Sequence, residues 1–362
     1  MQSNCTALSA VKWSLFFLLS QSVVAQNTIP AMPEAVSNNA VAKVTTEQGN
    51  FLISFMGIGS GKKIEDIHNK VWSHRLGDKT WEARKAVPFS TPLPGRLASV
   101  AVGIRDKAYI FGGYTVAEDH SEKSSPDNFS YDILRDRYQP IAPMPVSVDD
   151  AVALAYQQRY IYIISGWHHD GNVNLVQVYD TQTNIWQQAS PFLGTPVFGH
   201  AGGISGNQIV ICDGVSVRPR VQQRRTFLAE TACYSGLISS DKTTKIDWRK
   251  IPHPTGKARY RMAATALNNH SEKNILFAGG SDNPYNYDGM GYNGEASYPN
   301  NELWLYNLTQ RKWRVFPDGP NTMDHRGLVV IDNNSVVILG GMNAQQAISN
   351  QVSIIRTSRF KR

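Results

Sequence analysis

The sequence has few of the features that mark the commoner structural classes. It holds three cysteines in 362 residues, too few for a disulfide scaffold. No apolar run reaches the ~18 residues of a membrane-spanning helix, so stable membrane insertion is not expected. Charged residues make up 18% and hydrophobic residues 41%, which excludes a disordered chain and a coiled coil. The formal charge is +7, but the basic residues are dispersed, so nucleic acid is not an expected partner. Catalytic signatures are also missing. There is no Gly-x-Ser-x-Gly elbow, no phosphate loop and no His-Glu-x-x-His. Trp167-His168-His169-Asp170 lacks further ligands at metal spacing, so no metal and no cofactor are expected.

Residues 1–25 have one charge, Lys12, then an apolar stretch Trp13–Leu19 and Val23-Val24-Ala25. That order reads as a cleaved signal peptide, with a disordered tail as the alternative. It places the mature chain in the periplasm or outside the cell. Cleavage removes Cys5 and lowers the formal charge from +7 to +6 through loss of Lys12. Cys212 and Cys233 remain, either as a disulfide or as two small buried apolar side chains. Asn128, Asn269, Asn307 and Asn333 begin Asn-x-Ser/Thr triplets, which do not decide the source.

What the chain does have is a repeat. A polar residue, a small apolar strand, a turn, a second apolar strand and a Gly pair recur. The copies run from Arg96 to Gly113, Asp150 to Gly166, His200 to Gly214, Arg261 to Gly280 and Arg326 to Gly341. A degenerate copy spans Ala40 to Gly59. Spaced aromatic pairs follow: His74/Trp81, Tyr131/Tyr138, Tyr179/Trp186 and Tyr306/Trp313, with Tyr234/Trp248 stretched. Four short strands at a period of ~50 residues form the kelch signature, one propeller blade per repeat. The fold class is therefore all-β: a six-bladed kelch-type β-propeller forming one domain over 26–362. The phrase Ile29-Pro-Ala-Met-Pro33 repeats Ile141-Ala-Pro-Met-Pro145. The mature N-terminus is thus expected to supply the outer strand of the last blade and close the ring.

In such blades the start of the inner strand and the loop between strands two and three share one face. The expected polar ring there is Arg96, Asp150, His200, Arg261 and Arg326, with Asn39 in the degenerate blade and Asp149, Arg259 and His325 flanking. Three arginines suit a carboxylate. Arg218, Arg220, Arg224 and Arg225 add to that field from the fourth-blade loop. The fifth-blade loop, with Tyr285, Tyr287 and Glu295, has the aromatics and amides that stack on and bond sugars. A wet channel mouth and a solvated loop are the plainer readings of the same residues. An anion pocket predicts that Arg96→Ala or Arg326→Ala weakens binding of an acidic sugar more than Lys62→Ala does.

On these residues the chain resembles the N-acetylneuraminate epimerase (sialic acid mutarotase) family of kelch propellers. The likeness covers essentially the whole mature chain. It lies in Met56-Gly-Ile-Gly59-Ser, Pro94-Gly-Arg96, the region of Asp149-Asp150 where the family carries His, the fifth-blade loop with Glu295, and Arg326-Gly. It implies a periplasmic six-bladed propeller acting on acidic sugars. Arg96, Arg218, Arg261, Arg326, Tyr285 and Tyr287 are the implied substrate-binding set, and Arg220 is a second candidate for the family's downstream arginine. The family's catalytic Glu follows an Asn-Gly pair, whereas this chain reads Cys212-Asp213-Gly214-Val215, placing Val215 at that position. The family's third-blade insertion is absent. His200, Asp150, Asp213 and Glu295 are then the acid–base candidates for anomeric ring opening. The alternative is a propeller that binds a glycan or a protein partner without catalysis. A copper oxidase fits poorly, because Cys233-Tyr234 are chain neighbours rather than a cross-strand pair.

Overall fold

The computed structural model describes residues 29–90, 95–119, 121–219, 225–268 and 272–360. The expected signal peptide lies outside them. Each blade is a ladder of antiparallel hairpins. Blade 1 pairs Ala40–Thr46, Gly49–Ile58, Ile67–Arg75 and Glu82–Arg84 in order. Blades 2 to 5 repeat that four-stranded order, with inner strands Val100–Ile104, Val152–Tyr156, Ala201–Ser205 and Ala263–Asn268. Blade 6 shows three strands among the described residues, Val329–Asp332, Ser335–Leu339 and Val352–Arg356. Among the described residues, helix is confined to two short 3-10 turns, Ile64–Asp66 and Thr357–Phe360. The second strand of every blade is buried on both sides, as its runs of Val, Ile, Leu and Phe require.

The spaced aromatics do the stitching. Tyr179 lies directly opposite Trp186, and Tyr306 opposite Trp313, with ring centroids 5.1 and 4.7 Å apart. Each tryptophan then donates its indole N–H to the segment leading into its own blade: Trp186 to the Ala142 carbonyl at 2.8 Å, Trp313 to Pro252 at 2.7 Å. The stretched pair differs. Trp248 faces Gly236 rather than Tyr234, and Phe192 fills the gap between them, 5.1 Å from Tyr234 and 5.5 Å from Trp248.

The N-terminal segment takes part in the same scheme. Trp81 donates to the Pro30 carbonyl at 2.9 Å, as Trp186 does to Ala142. Met32 is buried beside Gly340 as Met144 is beside Gly112. Met32 N–H also bonds the Asn350 carbonyl of blade 6 at 2.8 Å. The outer strand expected to precede this segment lies outside the described residues.

Six isolated β-bridges share one register: Ser37 with Ile58, Leu97 with Tyr114, Asp149 with Trp167, Phe198 with Val215, Tyr260 with Ser281, and Met323 with Met342. Each pins the start of an inner strand to the residue after the glycine that ends the second strand. The approach is close: a Cβ on Gly214 would sit 2.9 Å from the Phe198 carbonyl oxygen. The next residue along each inner strand, namely Asn38, Ala98, Asp150, Gly199, Arg261 and Asp324, has φ between 50° and 63°. Most of these are non-glycine residues in a sparsely populated region, held there by the bridges.

Together they form a belt around the axis. Asn38 N–H donates to the Asp324 carbonyl, Asp150 to Ala98, Gly199 to Asp150 and Arg261 to Gly199, at 2.7–3.0 Å. Side chains supply the other two links, Ala98 N–H to Asn38 Oδ1 at 2.7 Å and Arg261 Nη1 to Asp324 Oδ1 at 2.9 Å. Asn38 to Asp324 joins the two ends of the ring.

Candidate functional site: the charged plug at the belt

The belt narrows the channel until side chains from different blades meet. Arg261 of blade 5 donates from Nη2 to Asp150 Oδ2 at 2.8 Å. Arg326 of blade 6 lies 2.7 Å from Asp150 Oδ1 and donates to Asn38 Oδ1 at 2.9 Å. Ser37 Oγ donates to Asp324 Oδ2 at 2.7 Å. Two carboxylates and two guanidiniums thus neutralise one another. Burial pushes the Asp150 carboxyl up, but Arg261 and Arg326 outweigh it and hold the group below its usual range. Arg261 stays firmly charged despite its burial, through Asp150, Tyr260 and Asp324. Arg326 keeps Nε and Nη1 without a partner among the described residues, although its side chain is only 6% exposed.

On the loop side the plug is covered by aromatics. The Tyr260 ring lies 5.2 Å from Tyr285 and 5.5 Å from Phe198, and Trp167 continues the cluster. Arg261 stacks 4.8 Å over Tyr260 and 5.4 Å over Tyr285. The fifth-blade loop lies across this cluster and is fastened at three places. Lys62 Nζ of blade 1 holds the Asp288 carbonyl at 2.8 Å. Gln346 of blade 6 holds those of Gly289 and Ser297 at 2.6 and 3.0 Å. Tyr292 stacks on Phe227 of blade 4 with centroids 4.0 Å apart. The Tyr285 hydroxyl is buried with no partner among the described residues. Burial pushes the Tyr292 hydroxyl up to about 12. Glu122 stands exposed at the rim on the blade 2 hairpin.

Of the residues expected from sequence, Asp150, Arg261 and Arg326 meet at the plug. The expected ring is not the ring observed. Arg96 precedes the belt position by two residues, His200 follows it by one and Arg326 by two, because the bridges, not the charges, set the register. Arg96 is turned into blade 2, donating to the Gly112 and Asp127 carbonyls at 2.8 Å each. Burial lowers its guanidinium to about 10. His200 is buried between blades, with Nε2 3.0 Å from the Ile164 carbonyl, and desolvation lowers it to about 4. Asp213 is held by His253 Nε2 and the Arg259 N–H, at 2.8 Å each, away from the plug. Glu295 is exposed and bonds within its own loop. Tyr285 reaches the cover and Tyr287 lies at its half-buried edge. Arg218 is exposed, 3.9 Å from Glu230. Arg225 stacks 4.8 Å over Trp167, while Arg220 and Arg224 lie outside the described residues.

Val215 is fully buried in the cover. Cys212 and Cys233 are cross-strand partners joined by a disulfide, which decides between the two alternatives. Asp213, Cys233 and His253 converge as metal ligands would, but the disulfide occupies the Cys233 sulfur. Sequence reasoning missed Asn38, Asp324 and Tyr260. All three carry a signal in hindsight: each falls at or beside the bridge position of its repeat.

No family model matches the chain. It is 22% identical over 362 residues to the N-acetylneuraminate epimerase of Salmonella typhi, covering 88% of this chain and 87% of that protein. The N-acetylneuraminate epimerase of Haemophilus influenzae (strain PittEE) is 25% identical over 327 residues, covering 86% and 75%. That of Pasteurella multocida (strain Pm70) is 22% identical, covering 91% and 93%. Among solved structures, that of YjhT superposes with a TM-score of 0.70 at 14% identity, covering 91% of this chain and 99% of the other. This protein is a six-bladed β-propeller similar over most of its length to proteins named N-acetylneuraminate epimerase.

Proposed function

We propose that this protein is a secreted or periplasmic, kelch-type propeller that handles acidic sugars as a mutarotase. The observation that carries the reading is the meeting of Arg261, Arg326, Asp150 and Tyr260 on the axis, in a chain whose relatives are named for an epimerase of such a sugar. Guanidinium groups bind a carboxylate strongly when water is excluded. Opening a sugar ring at the anomeric carbon needs a base for the hydroxyl and an acid for the ring oxygen. Asp150, held ionised by Arg261 and Arg326, suits the first role.

The second reading, binding without turnover, is favoured by one observation. Val215, apolar and buried, stands where the resembled family carries its catalytic Glu. The test is NMR of N-acetylneuraminate with the purified protein, following exchange between the two anomers. Faster exchange in proportion to protein concentration is expected. Binding with an unchanged exchange rate establishes the second reading, and an absence of both overturns the acidic-sugar assignment.

A further inference from the structure

Below the belt, on the side away from the loops, the channel widens into a cavity of about 460 Å³. That lies within the size range of small-molecule pockets. Its blind end is the plug of Asp150, Arg261 and Arg326, and its walls are the six inner strands. At the other end Lys43 and Gln158 line it, and Lys43 reaches across to the Val330 carbonyl at 2.8 Å. Side chains along the walls are mostly Ala, Val and Gly; Ala101, Ala153, Ala264 and Thr265 are half-exposed to it, with Val102 and Ile204 among the larger ones.

Two features give this well a chemical preference. Arg326 lines its blind end, its side chain nearly fully buried and its Nε and Nη1 both buried and without a partner among the described residues. A buried donor without a partner is destabilising until something accepts from it. Each inner strand also pairs on one side only, with the second strand of its blade. Its other edge presents backbone N–H and C=O groups towards the axis. An apolar ligand would strand those groups, whereas hydroxyls both donate to and accept from them.

We propose that the well is a binding chamber for a narrow, hydroxylated carboxylate that enters from the face opposite the loops and sets its carboxylate against Arg326. The chemical class rests on the acidic-sugar reading above; the location does not. The loop side is closed by the fastened fifth-blade loop, while the well is open, so a ligand reaches the plug from the well without moving the cover.

The experiment titrates gluconate, an open-chain sugar acid, into the full chain by calorimetry. The parent is compared with Ala153→Leu and Ala264→Leu, which narrow the well from blades 3 and 5. Tyr292→Ala loosens the loop side, and Leu237→Ala, at an exposed strand position of blade 4, is the control. Thermal unfolding confirms that each variant folds, and two wall variants guard against one failing to do so. Gluconate should bind the parent and the control alike, and each wall variant should weaken it at least tenfold. Tyr292→Ala should leave it within twofold. Binding untouched by both wall variants, a larger loss in Tyr292→Ala than in the wall variants, or no binding to the parent overturns the well. The two readings fail separately: gluconate binding without anomer exchange removes the mutarotase and keeps the well, and exchange that survives both wall variants does the reverse.

Discussion

The two sides of the belt are built from the same repeat and have opposite character. On the loop side the bridge residues Leu97, Phe198, Tyr260 and Met323, with Tyr114, Trp167, Val215 and Met342 across from them, close into a second apolar core. On the other side the same strands line the axis mostly with Ala, Gly and Val and leave an open well. The backbone geometry is shared by all six blades, so the contrast comes from side-chain size at two registers. A propeller can thus seal one mouth and keep the other open without changing its topology.

Acid should break the comparison most severely, because it attacks the layer that separates the two sides. His200 and His325 stand one residue past the belt in blades 4 and 6, and His68 lies in blade 1. Desolvation lowers all three to about 4. A histidine whose folded pKa is depressed is stabilising above its unfolded value near 6.5 and loses that contribution as the pH falls towards 4. The two fully buried histidines should each cost roughly 3 kcal/mol by pH 4. Denaturant midpoints between pH 7 and 4 should fall steeply in this window. A flat profile would mean that these imidazoles are solvated.

Cutting the plug comes next. Asp150→Asn leaves Arg261 and Arg326 without their shared carboxylate, and loss of one partner from a buried pair costs about 3–5 kcal/mol. Denaturant unfolding at pH 7 measures it, and a change below 1 kcal/mol would show that water already screens the plug.

Sharpening is expected on the loop side. Asp149 is the one acid among the bridge residues, and burial raises its carboxyl well above the usual range although Ser124 donates to it at 2.7 Å. Its folded pKa exceeds its unfolded one, so stability falls as pH rises from about 4 towards the folded value. Asp149→Asn should therefore stabilise by about 1 kcal/mol at pH 7 and by less at pH 4. Equal melting shifts at the two pH values would contradict this. The smallest effect belongs to Tyr285→Phe. Its hydroxyl has no partner among the described residues, so removal should change stability by under about 0.5 kcal/mol, and a large loss would reveal a ligand or water held there.

Much of this architecture was legible in the sequence. The second strands that run up to Gly113, Gly166, Gly214, Gly280 and Gly341 lie where the repeat places them, and so do the aromatic pairs, apart from Trp248, whose longer hairpin shifts its register. The repetition of Ile29–Pro33 was legible too, since Trp81 finds Pro30 as Trp186 finds Ala142. The belt was not. Its six residues, Asn38, Ala98, Asp150, Gly199, Arg261 and Asp324, share a backbone conformation and no side-chain chemistry. A search for ionisable residues therefore selected Arg96 and His200, which point elsewhere.

The most direct test of the central claim is a crystal structure of the protein soaked with N-acetylneuraminate. The account predicts density on the axis with the ligand carboxylate against Arg326. A ligand bound away from the axis, or a well and plug that stay empty at saturating sugar, would contradict it.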